Sequence, residues 1–181
     1  QFSQHANILA VLEDGVPAAD QAAVMRTALS DSSLSQATFY FRFYLHRAMK
    51  KAGLADEYVK QLGPWREMLA LGLTTWAENP EPSRSDCHAW SAHPNFDLLA
   101  TVAGVEPAAA GFREVVIAPH LGPLQRLQAS LPHPQGEITV SYERQGEGLV
   151  AEVTLPEKLK GSFVWRGKKV ALHGGKQHLE F

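Results

Sequence analysis

Cysteine is almost missing from this sequence of 181 residues, because Cys87 is the only one. The chain therefore has no internal disulfide and no zinc site built from several thiolates. An excess of charge is missing too, since 17 basic residues face 19 acidic ones, a net charge of -2. Without a basic stripe, binding to nucleic acid or to an anionic membrane surface is not expected. No apolar run approaches the roughly 20 residues that cross a bilayer.

An initiator methionine is also lacking, because the chain opens with Gln1. Residues 1–12, QFSQHANILAVL, already have a helical pattern of apolar positions. A chain that starts inside a helical pattern is expected to be a piece of a longer protein. Any targeting signal would then lie outside it, and the sequence leaves the localisation unknown.

The first 103 residues have the apolar spacing of helices. Gly53 follows one such stretch and is typical of the residue after a helix C-terminus, with Lys50 and Lys51 in the last turn. The short connections between stretches favour antiparallel helical hairpins. The predicted helices cover residues 2–12, 18–30, 38–52, 56–71 with a break at Gly63-Pro64, and 89–103.

Beyond residue 110 the apolar period changes from that of a helix to two. Short β-rich runs such as EITVSYE and LVAEVTLP alternate with breaks rich in glycine and proline. This pattern is typical of an antiparallel β-sandwich. We therefore predict an α+β multidomain chain, with a helical domain over residues 1–103, a linker over 104–112 and a β-sandwich over 113–181.

The stretch from Gly72 to Pro94, GLTTWAENPEPSRSDCHAWSAHP, is the densest in chemically useful side chains. Loops that gather aromatic, acidic and imidazole groups are common places for binding and catalysis. Trp76 and Trp90 have faces that can pack on the apolar face of a sugar ring. Glu78 offers a carboxylate for acid–base work at an anomeric carbon. His88 is the imidazole closest to them along the chain.

Each of these residues also has an ordinary structural interpretation. The two tryptophans fit a hydrophobic core, Glu78 fits a solvated turn before Asn79-Pro80, and His88 fits a structural histidine. Composition and spacing alone leave both interpretations open.

Metal and thiol chemistry are weaker interpretations of the same stretch. Glu78, Asp86, His88 and His93 do not have the spacing of HExxH or of a closed four-ligand site, so no metal and no cofactor is predicted. Cys87 and His88 are neighbours in the chain, and adjacent residues seldom converge as nucleophile and base.

Several segments, in order along nearly the whole chain, resemble bacterial α-L-rhamnosidases, which are six-hairpin glycosidases of the glycoside hydrolase family 78 type. GLTTWAE, residues 72–78, resembles their G-x-T-T-x-x-E motif, and SDCHAWSA, residues 85–92, resembles the histidine motif that follows it. GFREVVIAP, residues 111–119, resembles the family's connection into its C-terminal β-sandwich.

This resemblance implies helical hairpins of a partial (α/α)6 barrel followed by the β-sandwich. It implies an inverting hydrolase that releases terminal α-L-rhamnose from glycosides, with Glu78 as general base and His88 lining the rhamnose pocket. Trp76 and Trp90 are the expected sugar platforms, and Ala77 stands where many members of the family have a tryptophan. The family's general acid lies in earlier helices, so we expect this chain alone to be inactive.

The expected partners are rhamnose-containing glycosides, together with something that covers the helical part. Either a missing N-terminal half of the barrel or a second copy of the chain would cover it, because one half-barrel cannot bury every aromatic side chain of its third helix. Those aromatic side chains are Phe39, Phe41, Phe43 and Tyr44.

Two other functions fit the sequence. One is a non-catalytic carbohydrate-binding or structural module, and the other is a six-hairpin glycosidase that acts on a different sugar.

Overall fold

The fold is known from a computed structural model that describes residues 2–181. The chain forms two compact units, one ending at Asp97 and one running Leu98–Phe181. The first unit is helical and the second is built of strands, so the predicted α+β class is confirmed. Gln1, the first residue of the predicted helix over residues 1–12, lies outside the described part of the chain.

The helical unit follows the predicted order closely. Ser3 caps the first helix by accepting the Ala6 N–H with its hydroxyl. Gly53 adopts a positive φ of 75° two residues beyond the third helix, as predicted for a terminating glycine. Its α-helices are α1 (Gln4–Leu12), α2 (Ala18–Ser30), α3 (Arg42–Lys51), α4 (Gly63–Ala70) and α5 (Pro94–Asp97), with 3₁₀ helices at Ala55–Leu62 and Ala89–Ala92.

Three predicted helices differ in detail from the structure. α3 begins at Arg42 rather than Thr38, and the Phe39 carbonyl accepts a side-chain hydrogen bond from His93. The fourth stretch breaks at Gly63 as predicted, but its first half is a 3₁₀ helix. The fifth changes type along its length, and its π-helical end, Leu98–Val102, belongs to the second unit.

Two apolar clusters hold the helical unit together. α1, α2 and α3 bury one cluster that includes Ile8, Met25 and Leu45. The second cluster centres on Trp65 and contains Phe39, which is buried rather than part of an open aromatic face. The other three aromatic residues expected on that face, Phe41, Phe43 and Tyr44, are half-buried.

The second unit contains two four-stranded sheets that share one apolar core. Tyr142 from one sheet and Phe163 from the other meet edge to face in that core, with ring centroids 5.9 Å apart. The strand orders are β1-β2-β6-β7 and β3-β4-β5-β8. The strands are β1 (Val105–Pro107), β2 (Glu114–Ile117), β3 (Arg126–His133), β4 (Gly136–Gln145), β5 (Gly148–Leu155), β6 (Lys160–Trp165), β7 (Lys168–Leu172) and β8 (Gly175–Glu180).

Two features of this unit differ from the sequence prediction. The pair β2 and β6 is parallel, so the sandwich is mainly rather than wholly antiparallel. The predicted linker, residues 104–112, contains β1, which pairs with β2 and is therefore part of the sheet. Gly161 permits the parallel pairing, because a Cβ there would lie 1.9 Å from the Val115 carbonyl oxygen.

Membrane-spanning structure was not expected from the sequence. Within residues 2–181, no helix has the length and apolarity needed to cross a bilayer.

Candidate active site

The loop between α4 and the 3₁₀ helix at Ala89–Ala92 folds back on itself. The Glu78 N–H donates to the Ser85 carbonyl at 2.8 Å, and the His88 N–H donates to the Trp76 carbonyl at 2.8 Å. The Thr75 hydroxyl also donates to the Asp86 carbonyl. These bonds hold two antiparallel segments side by side, so the two motif segments of the sequence become neighbours in space.

Glu78 is a buried carboxylate in this loop, with only 8% of its surface exposed. The Arg84 guanidinium holds it with two hydrogen bonds, 2.9 Å from Nε to Oε2 and 2.6 Å from the terminal nitrogen to Oε1. A bidentate pair of this kind fixes the orientation of the carboxyl group. The two bonds from Arg84 occupy two of the roughly four lone-pair directions of the Glu78 carboxylate, so its oxygens can still accept a proton from a water molecule.

The rings of Tyr40, Tyr44, His88 and Trp90 pack together at the other end of the same loop, and we call them the aromatic group. The Tyr40 ring is 5.3 Å from the His88 ring and 5.8 Å from the Trp90 ring, measured between centroids. Trp90 also meets the Tyr44 ring edge to face at 6.1 Å. Half of the Trp90 surface is exposed. The group therefore presents aromatic faces and an imidazole to solvent, which is the combination that sugar rings contact in proteins.

Trp76 occupies a different environment from Trp90. It is half-buried and packs against the apolar cluster that contains Phe39, Trp65 and Met68. Trp76 therefore packs against the core of the helical unit, whereas half of the Trp90 surface is exposed.

His46, His93 and Asp97 form a buried polar network. His93 Nδ1 lies 2.8 Å from Asp97 Oδ2, and the other ring nitrogen, Nε2, donates to the Phe39 carbonyl at 3.1 Å. His46 Nδ1 approaches the same carboxylate oxygen at 3.4 Å. All three titratable side chains are almost wholly buried.

The electrostatics of this network follow from burial and from its hydrogen bonds. Burial lowers the pKa of His46 below its ordinary value, because a charged imidazole loses hydration there. Burial acts to raise the pKa of Asp97, but the hydrogen bonds from His46 and His93 outweigh it and lower that pKa. The lowered pKa keeps Asp97 as a carboxylate in the folded protein, with one oxygen 2.8 Å from His93 Nδ1.

His46, His93 and Asp97 also have potential metal-ligand atoms within 4.8 Å of one another. The two histidine nitrogens point at one carboxylate oxygen, and the shorter contact is an ordinary charge-assisted hydrogen bond. This geometry fits a hydrogen-bond network better than three ligands arranged around a common centre.

The second unit has an independent resemblance to known proteins. Residues 104–178 match the bacterial alpha-L-rhamnosidase C-terminal domain. The curated alpha-L-rhamnosidase of Alteromonas sp. (strain LOR) is 34% identical over 64 residues, which are 35% of this chain and 7% of that protein. The crystal structure of the GH78 family rhamnosidase of Bacillus sp. GL1 is similar over 90% of this chain, with 27% identity and a TM-score of 0.81.

This chain is related to the alpha-L-rhamnosidases. These relatives are named as rhamnosidases, which are glycoside hydrolases. The alpha-L-rhamnosidase of Streptomyces avermitilis, solved in complex with L-rhamnose, shares the fold over 98% of this chain with 19% identity and a TM-score of 0.81. The chain spans 19% of the Bacillus rhamnosidase and 21% of the Streptomyces rhamnosidase.

The structure brings some predicted site residues of this rhamnosidase-related chain together and separates others. His88 and Trp90 join one aromatic group, whereas Glu78 contacts Arg84 and Trp76 packs inward.

Sequence reasoning missed Tyr40, Arg84, His46 and Asp97, and among site roles it considered His93 only as a metal ligand. The four-residue spacing of His93 and Asp97 was a visible signal for a pair on one helical face. Tyr40 had no local signal, because it lies more than 40 residues before its partners in the chain.

Proposed function

We propose that this chain forms the base-bearing part of an inverting glycoside hydrolase that releases terminal α-L-rhamnose. The observation that carries the proposal is the buried Glu78 carboxyl group, held in place by two hydrogen bonds from Arg84 in the loop that also bears His88 and Trp90. A general base must be ionised and must be fixed in place before the substrate arrives.

In this mechanism Glu78 removes a proton from a water molecule that attacks the anomeric carbon. A carboxylic acid on the opposite side of the bond protonates the leaving oxygen, and the two carboxyl groups stand about 6.5–9.5 Å apart to admit the water. The acid comes from helices outside residues 1–181. The helical unit then supplies some of the hairpins of an (α/α)6 barrel, and its half-exposed aromatic side chains meet the remaining hairpins or a second copy.

The sugar itself contacts the aromatic end of the loop. His88 exchanges hydrogen bonds with ring hydroxyl groups, and Trp90 packs on the apolar face of the pyranose. Trp76 supports the loop from below. Support for rhamnose as the sugar comes from the relatives, which include an enzyme solved in complex with L-rhamnose.

Carbohydrate binding without turnover is a second candidate, and one observation favours it. The Glu78 carboxylate is engaged by Arg84 through both oxygens, which is also the arrangement of a structural ion pair. In that case the loop binds a pyranose and performs no chemistry.

The two candidates differ in the fate of an α-L-rhamnoside. The test incubates nitrophenyl α-L-rhamnoside with the full-length protein that includes this chain and follows the anomeric proton of the released sugar by NMR. The proposal predicts that β-L-rhamnose appears first. Binding of the glycoside without release of nitrophenol would favour the second candidate.

The isolated chain provides a further comparison. Without the acid it is expected to lack measurable turnover, since each acid–base group contributes on the order of 10²–10⁴-fold to the rate. Robust release of nitrophenol by the isolated chain would contradict this assignment of the acid.

A further inference from the structure

The Tyr40 side chain packs against both His88 and Trp90. Its ring lies 5.3 Å from the His88 ring and 5.8 Å from the Trp90 ring, and it is half-buried between them. An aromatic ring with a partly open face beside an exposed tryptophan extends the apolar surface available to a sugar ring. Its phenolic hydroxyl adds a donor and an acceptor at the same place.

His93 joins the two segments that bear the Tyr40 and Trp90 rings. The His93 backbone N–H donates to the Trp90 carbonyl at 3.2 Å. The His93 side chain donates from Nε2 to the Phe39 carbonyl at 3.1 Å. Phe39 precedes Tyr40 directly, so His93 fixes the backbone beside both rings.

The His93 ring is itself held in one orientation. A carbonyl oxygen only accepts hydrogen bonds, so Nε2 must carry a proton to bond the Phe39 carbonyl. The 2.8 Å contact from Nδ1 to Asp97 Oδ2 fixes the other side of the ring. Trp65 stacks edge to face on this ring at 5.1 Å and donates its indole N–H to the Ser91 carbonyl at 2.7 Å. The bond from the Trp65 indole to the Ser91 carbonyl and the bond from the His93 N–H to the Trp90 carbonyl both restrain the segment that bears Trp90.

We infer that Tyr40 is a contact residue for the bound pyranose and that His93 is the positioning residue that sets Tyr40 against Trp90. The inference deepens the proposed function and rests on it, because it assumes that the loop binds a sugar.

The contact role of Tyr40 is tested by the binding of methyl α-L-rhamnopyranoside to the full-length protein that includes this chain, followed by saturation-transfer NMR. Tyr40→Ala is expected to weaken binding by about three- to tenfold, the loss of one aromatic contact. Tyr40→Phe keeps the ring and is expected to lose less. Phe96→Ala is the control, because Phe96 is an exposed aromatic residue that packs on Phe43 instead. It should bind as the wild type does.

The positioning role of His93 is tested by two amides that each keep half of its hydrogen bonds. In His93→Gln the amide nitrogen reaches the place of Nε2 and still donates to the Phe39 carbonyl. In His93→Asn it reaches only the place of Nδ1, beside Asp97. Positioning predicts that His93→Gln retains sugar binding and the proton contacts between Tyr40 and Trp90 seen by NMR, whereas His93→Asn loses both. A merely structural role predicts equal losses in the two variants.

Failure of this inference can be told apart from failure of the proposed function. Wild-type affinity in Tyr40→Ala, or equal behaviour of the two amides, would overturn the inference while sugar binding stands. Absence of any pyranose binding by the wild type would overturn the proposed sugar site and the contact role of Tyr40 with it.

Discussion

Replacing Asp97 by asparagine tests whether the buried network is an ion pair. The amide keeps the shape of the carboxyl group but removes its charge, so the buried His93 and His46 rings lose their charged hydrogen-bond partner. Asp97 accepts one short bond from His93 and one long contact from His46. Hydrogen bonds to charged groups contribute about 1.5–3 kcal/mol each. Breaking a buried pair costs about 3–5 kcal/mol, so we expect a loss of that size in the free energy of unfolding.

The assay is urea unfolding followed by tryptophan fluorescence, which reports mainly on the helical unit because Trp65, Trp76 and Trp90 lie there. Asp86→Asn is the matched control, since Asp86 is exposed in the same unit and its loss should change stability by less than about 0.5 kcal/mol. A loss below about 1 kcal/mol in Asp97→Asn would refute the ion pair, because it would mean that a neutral group serves equally well at this position.

Two further predictions concern pH and backbone packing. The pKa of His46 is lowered in the folded state, so below about pH 6.5 the unfolded chain binds a proton that the folded chain does not. The free energy of unfolding therefore keeps its full value above that pH and falls as the pH drops. His46→Gln should flatten this part of the unfolding free energy against pH, by at most about 1.4 kcal/mol per pH unit, and an unchanged slope would contradict the assignment. Gly161→Ala should destabilise the second unit by about 3 kcal/mol through the clash with the Val115 carbonyl, whereas Gly63→Ala meets nothing within 4 Å. Thermal unfolding of both variants checks this, and equal melting temperatures would be evidence against the clash.

Local signals predicted most of the helices and strands, because capping, glycine and apolar period act over a few residues. The helix Ala18–Ser30 has the predicted bounds, and the break at Gly63 falls where Gly63-Pro64 placed it. The parallel pairing of β2 with β6 was missed, since it depends on strands more than 40 residues apart. β1 was taken for a linker because three residues carry little periodic signal.

The candidate site was predictable only where its residues lie close in the sequence. Glu78 and His88 fall within one loop, and their roles stay predictions from the motif resemblance. Arg84 stands in the same loop, but nothing in the spacing indicated that its guanidinium would fold back onto Glu78. Tyr40 and His46 come from distant elements, and only the packing of α3 against the later helices brings them to the loop segment.

The role of Glu78 as general base is the central claim, and azide rescue tests it most directly. In the full-length protein, Glu78→Gln should lower turnover of nitrophenyl α-L-rhamnoside on the order of 10²–10⁴-fold, because an amide cannot take a proton from water. Glu81→Gln, an exposed glutamate of the same loop, should leave turnover unchanged. Azide attacks without giving up a proton, so it should restore turnover in Glu78→Gln and yield the β-L-rhamnosyl azide. Turnover of Glu78→Gln at the wild-type rate, without azide, would contradict the account.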